Sequence, residues 1–253
     1  MNEKAMLLEL SKCIACRGCQ VACKEWNQLA AVATENTGSY ENPPELTPTT
    51  YTRIIFKEME VKGQLKWLFR KEQCYHCTNA ACVKICPVDA RSKDEFGFTE
   101  IDIKRCIGCG LCVKACPFTV PRIDNRTNKS TSCTFCLDRV VNGLPPACAK
   151  TCPPGAIKYG ERSEMLNYAG EVMAKAKVNG TNLYLYGERE FGGLHVLCLL
   201  PEKPALYDLP ITAETEVSNE FQAISYLEKT LPSSIREAVL TAAVLKYFGR
   251  VHV

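Results

Sequence analysis

Cys13-Ile14-Ala15-Cys16-Arg17-Gly18-Cys19-Gln20-Val21-Ala22-Cys23 spaces four thiols as C-x2-C-x2-C-x3-C, and Cys106, Cys109, Cys112 and Cys116 repeat that spacing. This run wraps cubane iron–sulfur clusters: three thiolates two residues apart curl round one core when the backbone turns tightly between them. Gly108 and Gly110 permit such turns. Two variant quartets complete the set. Cys74, Cys77, Cys82 and Cys86 space as C-x2-C-x4-C-x3-C, while Cys133, Cys136, Cys148 and Cys152 open the middle gap into a loop. In chain order, the four quartets take sixteen of the 17 cysteines.

Pro87, Pro117 and Pro153 follow the last cysteine of quartets two, three and four, and Lys24 takes that place in quartet one. In two-cluster ferredoxins the fourth cysteine of a run ligates the partner cluster. It is expected at the start of a short helix, where a following proline costs no hydrogen bond. Each quartet therefore needs a second one. Structural zinc favours two well-separated pairs per site rather than runs of three, and a disulfide framework belongs to short, small-cored secreted chains. Met1 to Leu10 carries no apolar leader segment or cleavage site, so the thiols are expected to be made and kept reduced until clusters are in.

The 253 residues are 46% hydrophobic, but cluster ligands swell that figure and the apolar core is smaller than it looks. The formal charge of +3 is equally misleading. Four [4Fe–4S]2+ cores with four thiolates each would take the loaded chain to about −5, which argues against a nucleic-acid partner. Lys12, Arg17, Lys24, Lys84, Lys104, Arg105 and Lys114 flank the ligands and are candidates to offset cluster charge.

Between the quartets the pattern predicts few elements. Arg17 to Ala30 has helical spacing in Val21, Ala22, Trp26 and Leu29. Thr34 to Thr50, with Gly38, Pro43, Pro44 and Pro48, reads as a long surface loop. Tyr51 to Glu60 and Gln64 to Arg70 read as a hairpin about Lys62-Gly63. Phe96 to Ile103 is a short strand region, and Ile123 to Ser132 turns at Asn125 to Asn128. Ser163 is expected to cap a helix running to Lys177 and ended by Asn179-Gly180. Leu183 to Tyr186 and Leu194 to Leu200 read as strands, with Cys198 a small buried hydrophobe. A polar loop, Pro201 to Ser218, then leads to helices Glu220 to Lys229 and Ser233 to Phe248. The second of these gathers Ile235, Val239, Leu240, Ala243 and Phe248 near one side as a docking face. Its longest apolar run, Ala238 to Val244, is far short of the roughly 20 residues that cross a bilayer.

No catalytic pattern accompanies the thiols. His76, His195 and His252 are scattered, and Gly192-Gly193 forms no G-x-G-x-x-G nucleotide fingerprint. Four redox centres without a reaction site describe a wire whose chemistry happens on a partner.

The quartets in this order resemble the four-cluster ferredoxin subunits that accompany molybdenum- or tungsten-pterin oxidoreductases of the dimethyl-sulfoxide-reductase superfamily. The resemblance covers residues 5 to 200. Within it, Cys13 to Asn27 with its Trp26-Asn27 pair, the loop Asn36-Thr37-Gly38-Ser39-Tyr40-Glu41-Asn42-Pro43-Pro44, and Phe191-Gly192-Gly193-Leu194-His195-Val196 resemble the iron–sulfur (β) subunit of formate dehydrogenases. Membrane-bound members continue into a transmembrane helix, so this chain is similar to the soluble ones. Related nitrate-reductase subunits place tryptophan at one ligand of quartet three, whereas Cys109 is intact here, which implies four [4Fe–4S] clusters.

The resemblance implies an α+β fold of two interleaved bacterial-ferredoxin-like modules, each with two clusters. Residues 1–30 plus 130–200 form the first, residues 72–129 the second, residues 31–71 a loop and β-hairpin insertion, and residues 201–253 a C-terminal helical docking tail. Cluster one is expected on Cys13, Cys16, Cys19 and Cys152, and cluster two on Cys23, Cys133, Cys136 and Cys148. Cluster three is expected on Cys86, Cys106, Cys109 and Cys112, and cluster four on Cys74, Cys77, Cys82 and Cys116. The implied role is non-catalytic electron transfer from a pterin-bearing formate dehydrogenase catalytic subunit, entering at the Cys13 cluster, to an acceptor such as a cytochrome, ferredoxin or hydrogenase subunit. Competing readings are the same wire serving a thiosulfate, polysulfide or sulfoxide reductase or a hydrogenase, and a free polyferredoxin. A chain of this kind works in the cytoplasm, or in the periplasm when a partner with a twin-arginine signal exports it.

Overall fold

The structure, a computed structural model, describes residues 3–210. The expected helices Glu220 to Lys229 and Ser233 to Phe248, most of the expected docking tail and His252 lie outside the described residues. The chain is mixed α/β, with ten short strands and six helices among the described residues.

Its central sheet joins the two ends of the described chain. β1 (Lys4–Glu9) lies parallel to the late strand Val196–Leu200, with Met6 opposite Val196 and Leu8 opposite Cys198. On its other side it runs antiparallel to Ile157–Glu161, and Tyr184–Tyr186 closes the far edge. Side chains alternate across a sheet. Ala5, Leu7, Leu197 and Leu199 therefore face one way, where Ala169, Met165 and Val172 of a long helix cover them. Met6, Leu8, Val196, Cys198 and Leu200 face the other way, into a core with Tyr75, Phe98, Phe135 and Phe191. Cys198 is fully buried there, as expected.

The remaining elements carry the cysteine loops. α1 (Gly18–Trp26) is followed by the loop and then by β2 (Arg53–Val61) and β3 (Gln64–Glu72), paired from Arg53 opposite Glu72 to Val61 opposite Gln64. Lys62 and Gly63 both have positive φ, 53° and 77°, the two-residue turn that matches strand twist. α2 (Ala81–Lys84) precedes a small hairpin of β4 (Arg91–Lys93) and β5 (Thr99–Ile101). α3 (Leu111–Ala115) precedes another, β6 (Arg122–Asp124) and β7 (Lys129–Thr131), which turns over 125–128 as predicted. Next come α4 (Leu137–Val140), α5 (Ala147–Lys150), β8 (Ile157–Glu161), α6 (Arg162–Val178), β9 (Tyr184–Tyr186) and β10 (Val196–Leu200).

Two local expectations need correction. α6 is capped by Glu161, not Ser163: β8 ends extended at Glu161, whose side chain accepts from the backbone of the first turn while the Glu164 carboxylate accepts the Glu161 N–H at 3.3 Å. The cysteine–proline pairs also sit at helix ends rather than starts. Cys86, Cys116 and Cys152 follow α2, α3 and α5, and their carbonyls accept from Asp89, Thr119 and Gly155 at 3.4, 3.0 and 3.1 Å. Proline is thus the second residue of a β-turn that stops each helix, a position its fixed φ suits. Quartet one has Lys24 instead, and α1 runs on to Trp26.

Candidate metal centres

In every quartet the chain makes the same local turn. The residue two after the first cysteine has left-handed φ: Ala15 at 53°, His76 at 48°, Gly108 at 72° and Phe135 at 56°. This bends the chain back, so that the amide of that residue meets the sulfur before it. The His76 and Phe135 N–H groups donate to Cys74 Sγ and Cys133 Sγ at 3.4 Å each, and the Ala15 amide makes the same bond to Cys13. Only Gly108 carries this conformation without steric cost. A Cβ there would also lie 2.3 Å from the Asn128 carbonyl, so the loop is pressed against the following hairpin.

The quartets then come together in pairs. α1 packs on α5, and α2 on α3. One cavity is lined by Cys13, Cys16, Cys19 and Cys152, a second by Cys23, Cys133, Cys136 and Cys148, and a third by Cys86, Cys106, Cys109 and Cys112. In each, three thiols come from one quartet and the fourth from another. Cys74, Cys82 and Cys116 in turn face Cys77, whose thiol burial pushes well up and these three neighbours raise further. Among the described residues no three thiols, imidazoles or carboxylates close on a point that would hold a single ion. The thiols ring voids, an arrangement that suits a polynuclear core rather than one zinc ion.

Burial dominates the chemistry of these thiols. It pushes Cys19 up to about 11, Cys23 to about 12, Cys82 to about 12, and Cys109 and Cys116 to about 11. Thiolates are the ligating form, so cationic metal must displace these protons and the sites fill only together with it. Further donors are aimed at sulfur: Ala90 N–H to Cys86 at 3.2 Å, Ser130 N–H to Cys106 at 3.4 Å, and the Ser130 and Thr99 hydroxyls 3.3 and 3.5 Å from Cys112 and Cys74. Such bonds to the sulfurs raise cluster potentials.

Both described histidines are structural. His76 Nδ1 accepts the Thr99 N–H at 3.0 Å, and burial holds the ring neutral by lowering it to about 3. His195 Nδ1 donates to the Lys4 carbonyl at 2.8 Å, and its ring packs edge-on against Phe98.

Of the flanking cations, Lys12 is held by Glu9 at 2.8 Å, Lys24 donates to the Ala30 and Thr49 carbonyls, and Arg17 lies over Phe56 while lining the first cavity. The deeply buried cations are others, which their sequence positions did not flag. Lys71, 4% exposed, lines both the Cys13 and the Cys23 cavities, and Arg91, 3% exposed, lines the Cys86 cavity and faces Cys112, Cys82 and Cys74.

Comparison with known proteins places this chain among iron–sulfur proteins. Residues 65–162 match one 4Fe–4S dicluster domain family and residues 12–90 another. The chain is 38% identical over 252 residues to the formate dehydrogenase-O iron–sulfur subunit of Escherichia coli, covering 98% of this chain and 84% of that protein. It is 38% identical over 214 residues to formate dehydrogenase 2 subunit beta (cytochrome c-553) of Nitratidesulfovibrio vulgaris, covering 81% of this chain and 97% of that protein. The thiosulfate reductase electron transfer subunit of Salmonella typhi is 34% identical over 194 residues, covering 75% and 94%.

Proposed function

This chain belongs to the family of formate dehydrogenase iron–sulfur subunits, and from that premise we propose that it conducts electrons through four [4Fe–4S] clusters between a molybdenum- or tungsten-pterin catalytic subunit and an external acceptor. It is an electron-transfer subunit, and catalysis belongs to another chain. When bound, each cluster supplies a one-electron couple. Cys13, Cys16, Cys19 and Cys152 hold cluster one; Cys23, Cys133, Cys136 and Cys148 cluster two; Cys86, Cys106, Cys109 and Cys112 cluster three; Cys74, Cys77, Cys82 and Cys116 cluster four. The observation that carries this reading is the crossing of quartets: each of three cavities takes its fourth thiol from another run.

The two modules interleave in sequence, quartets one and four enclosing two and three, with the hairpin inserted between quartets one and two and the tail left to dock. Cys16, the exposed thiol, opens cluster one to the surface, so electrons enter from the catalytic subunit there and leave from the second module. A cytochrome is the favoured acceptor, since the N. vulgaris relative bears one in its name. No helix among the described residues is long and apolar enough to cross a membrane. The working place is the cytoplasm, or the periplasm after export with a partner.

Anaerobic purification of the native chain tests all of this. It should bring down a pterin-bearing large subunit active on formate, with about sixteen iron and sixteen acid-labile sulfide per chain of this subunit. A thiosulfate reductase large subunit would transfer the wire to the competing reaction, zinc or about twelve iron in fully loaded protein would overturn the ligand sets, and absence of any large subunit would leave a free polyferredoxin.

A further inference from the structure

Burying an ammonium or guanidinium is expensive unless an anion answers it. Buried Arg53 obeys this by meeting Glu41 and Glu72, while buried Arg139 lies over the Trp26 ring and donates to the Pro145 carbonyl. Lys71 and Arg91 are different. Among the described residues Lys71 pairs with no carboxylate and donates to the neutral Gln73 amide oxygen. Arg91 donates to the Ser130 hydroxyl at 2.7 Å and the Ser132 hydroxyl at 3.4 Å, again without a carboxylate. What both do face is thiols, and from two ligand sets each. Lys71 lies among Cys19 of set one and Cys23, Cys133 and Cys148 of set two. Arg91 lies between Cys112 of set three and Cys74 and Cys82 of set four.

Resting on the ligand sets above, we propose that Lys71 and Arg91 are the internal counter-cations of the two modules, one per cluster pair, each raising the potentials of both clusters in its own module. A positive charge between two anionic centres favours an added electron on either of them, and in a water-poor interior it acts more strongly than the surface lysines beside the motifs. It also explains the hairpin: β3 ends by delivering Lys71 from outside either quartet into the space between them. Both are positioning residues. They hold no iron, and they act through charge on groups that the cysteines hold.

The test is an EPR-monitored redox titration of the native complex carrying Lys71→Gln, Lys71→Arg, Arg91→Gln or Lys93→Gln. Lys71→Gln should weaken reduction of clusters one and two by about tenfold or more, about 59 mV for a one-electron couple, and leave three and four in place. Arg91→Gln should do the reverse. Lys71→Arg keeps the charge and should hold the original midpoints. Lys93, which donates to the Cys77 carbonyl at 2.6 Å, should affect cluster four alone. If Lys71→Gln loses clusters one and two while Lys71→Arg keeps them, the need for charge is shown through loading instead. Equal loss in both variants, or unshifted midpoints in fully loaded Lys71→Gln, overturns the inference. About sixteen iron in the wild type would leave the ligand sets standing in that event, so the two failures are distinguishable.

Discussion

The Arg139 guanidinium lies over the Trp26 ring, 4.2 Å from its centroid, and the same indole donates its Nε1–H to Asp138 at 2.8 Å. Trp26 ends α1, which carries two cysteines of quartet one, while Asp138 and Arg139 belong to α4, which follows Cys136 of quartet four. One side chain thus ties together two runs more than a hundred residues apart. Trp26→Leu should remove a cation–π contact and a charge-assisted hydrogen bond, weakening the first module by about 1–2 kcal/mol. Cluster absorbance should then bleach at lower guanidinium concentration. An unchanged bleaching midpoint would show that other contacts hold the two runs together.

Cys152→Ser should abolish the same EPR or Mössbauer signal as Cys16→Ser, although 136 residues separate them. Both line the cavity shared with Cys13 and Cys19. If the Cys152→Ser spectrum instead matches Cys133→Ser alone, the crossing of quartets one and four is wrong.

How far the sequence reaches depends on the kind of constraint. Cysteine spacing and the Lys62-Gly63 turn are local, so quartets and hairpin were legible. β1 was not, because Ala5 to Leu8 is buried on both faces and carries no alternation, and its partner β10 lies some 190 residues away. The shared left-handed turn was hidden by its occupants: of Ala15, His76, Gly108 and Phe135, glycine alone announces that conformation. Aligning the four quartets on their first cysteine and asking what Gly108 requires would have found the others. Lys71 and Arg91 were missed for a different reason. A charged residue outside a motif reads as surface until the elements around it are placed.

His195 gives the fold a calculable response to acid. Burial lowers its pKa from 6.5 to about 4, so between those values the unfolded chain binds the proton and the folded chain does not. Stability therefore falls as pH drops through that window, by about 1 kcal/mol between pH 7.5 and 5.5 from this residue. His195→Gln keeps a donor for the Lys4 carbonyl but does not titrate. Its loss of stability over the same interval should be smaller than the wild type's by about that amount, measured by guanidinium unfolding at the two pH values. Parallel pH dependence in the two proteins would mean that His195 titrates normally.

Electron exit can be separated from electron entry at Cys109. It lines the cavity with Cys86, Cys106 and Cys112, separate from the cavity that holds the exposed Cys16. Cys109→Ser should leave formate binding unchanged, since the proposed pterin site is on another chain, and should leave dye reduction largely intact, because a dye collects electrons from an exposed centre. Transfer to a protein acceptor should fall at least tenfold. The isolated chain should turn over no formate, since its relatives are iron–sulfur subunits of formate dehydrogenases. Turnover by this chain alone would sink the wire, and an undiminished protein-acceptor rate in Cys109→Ser would show that electrons leave before they reach the second module.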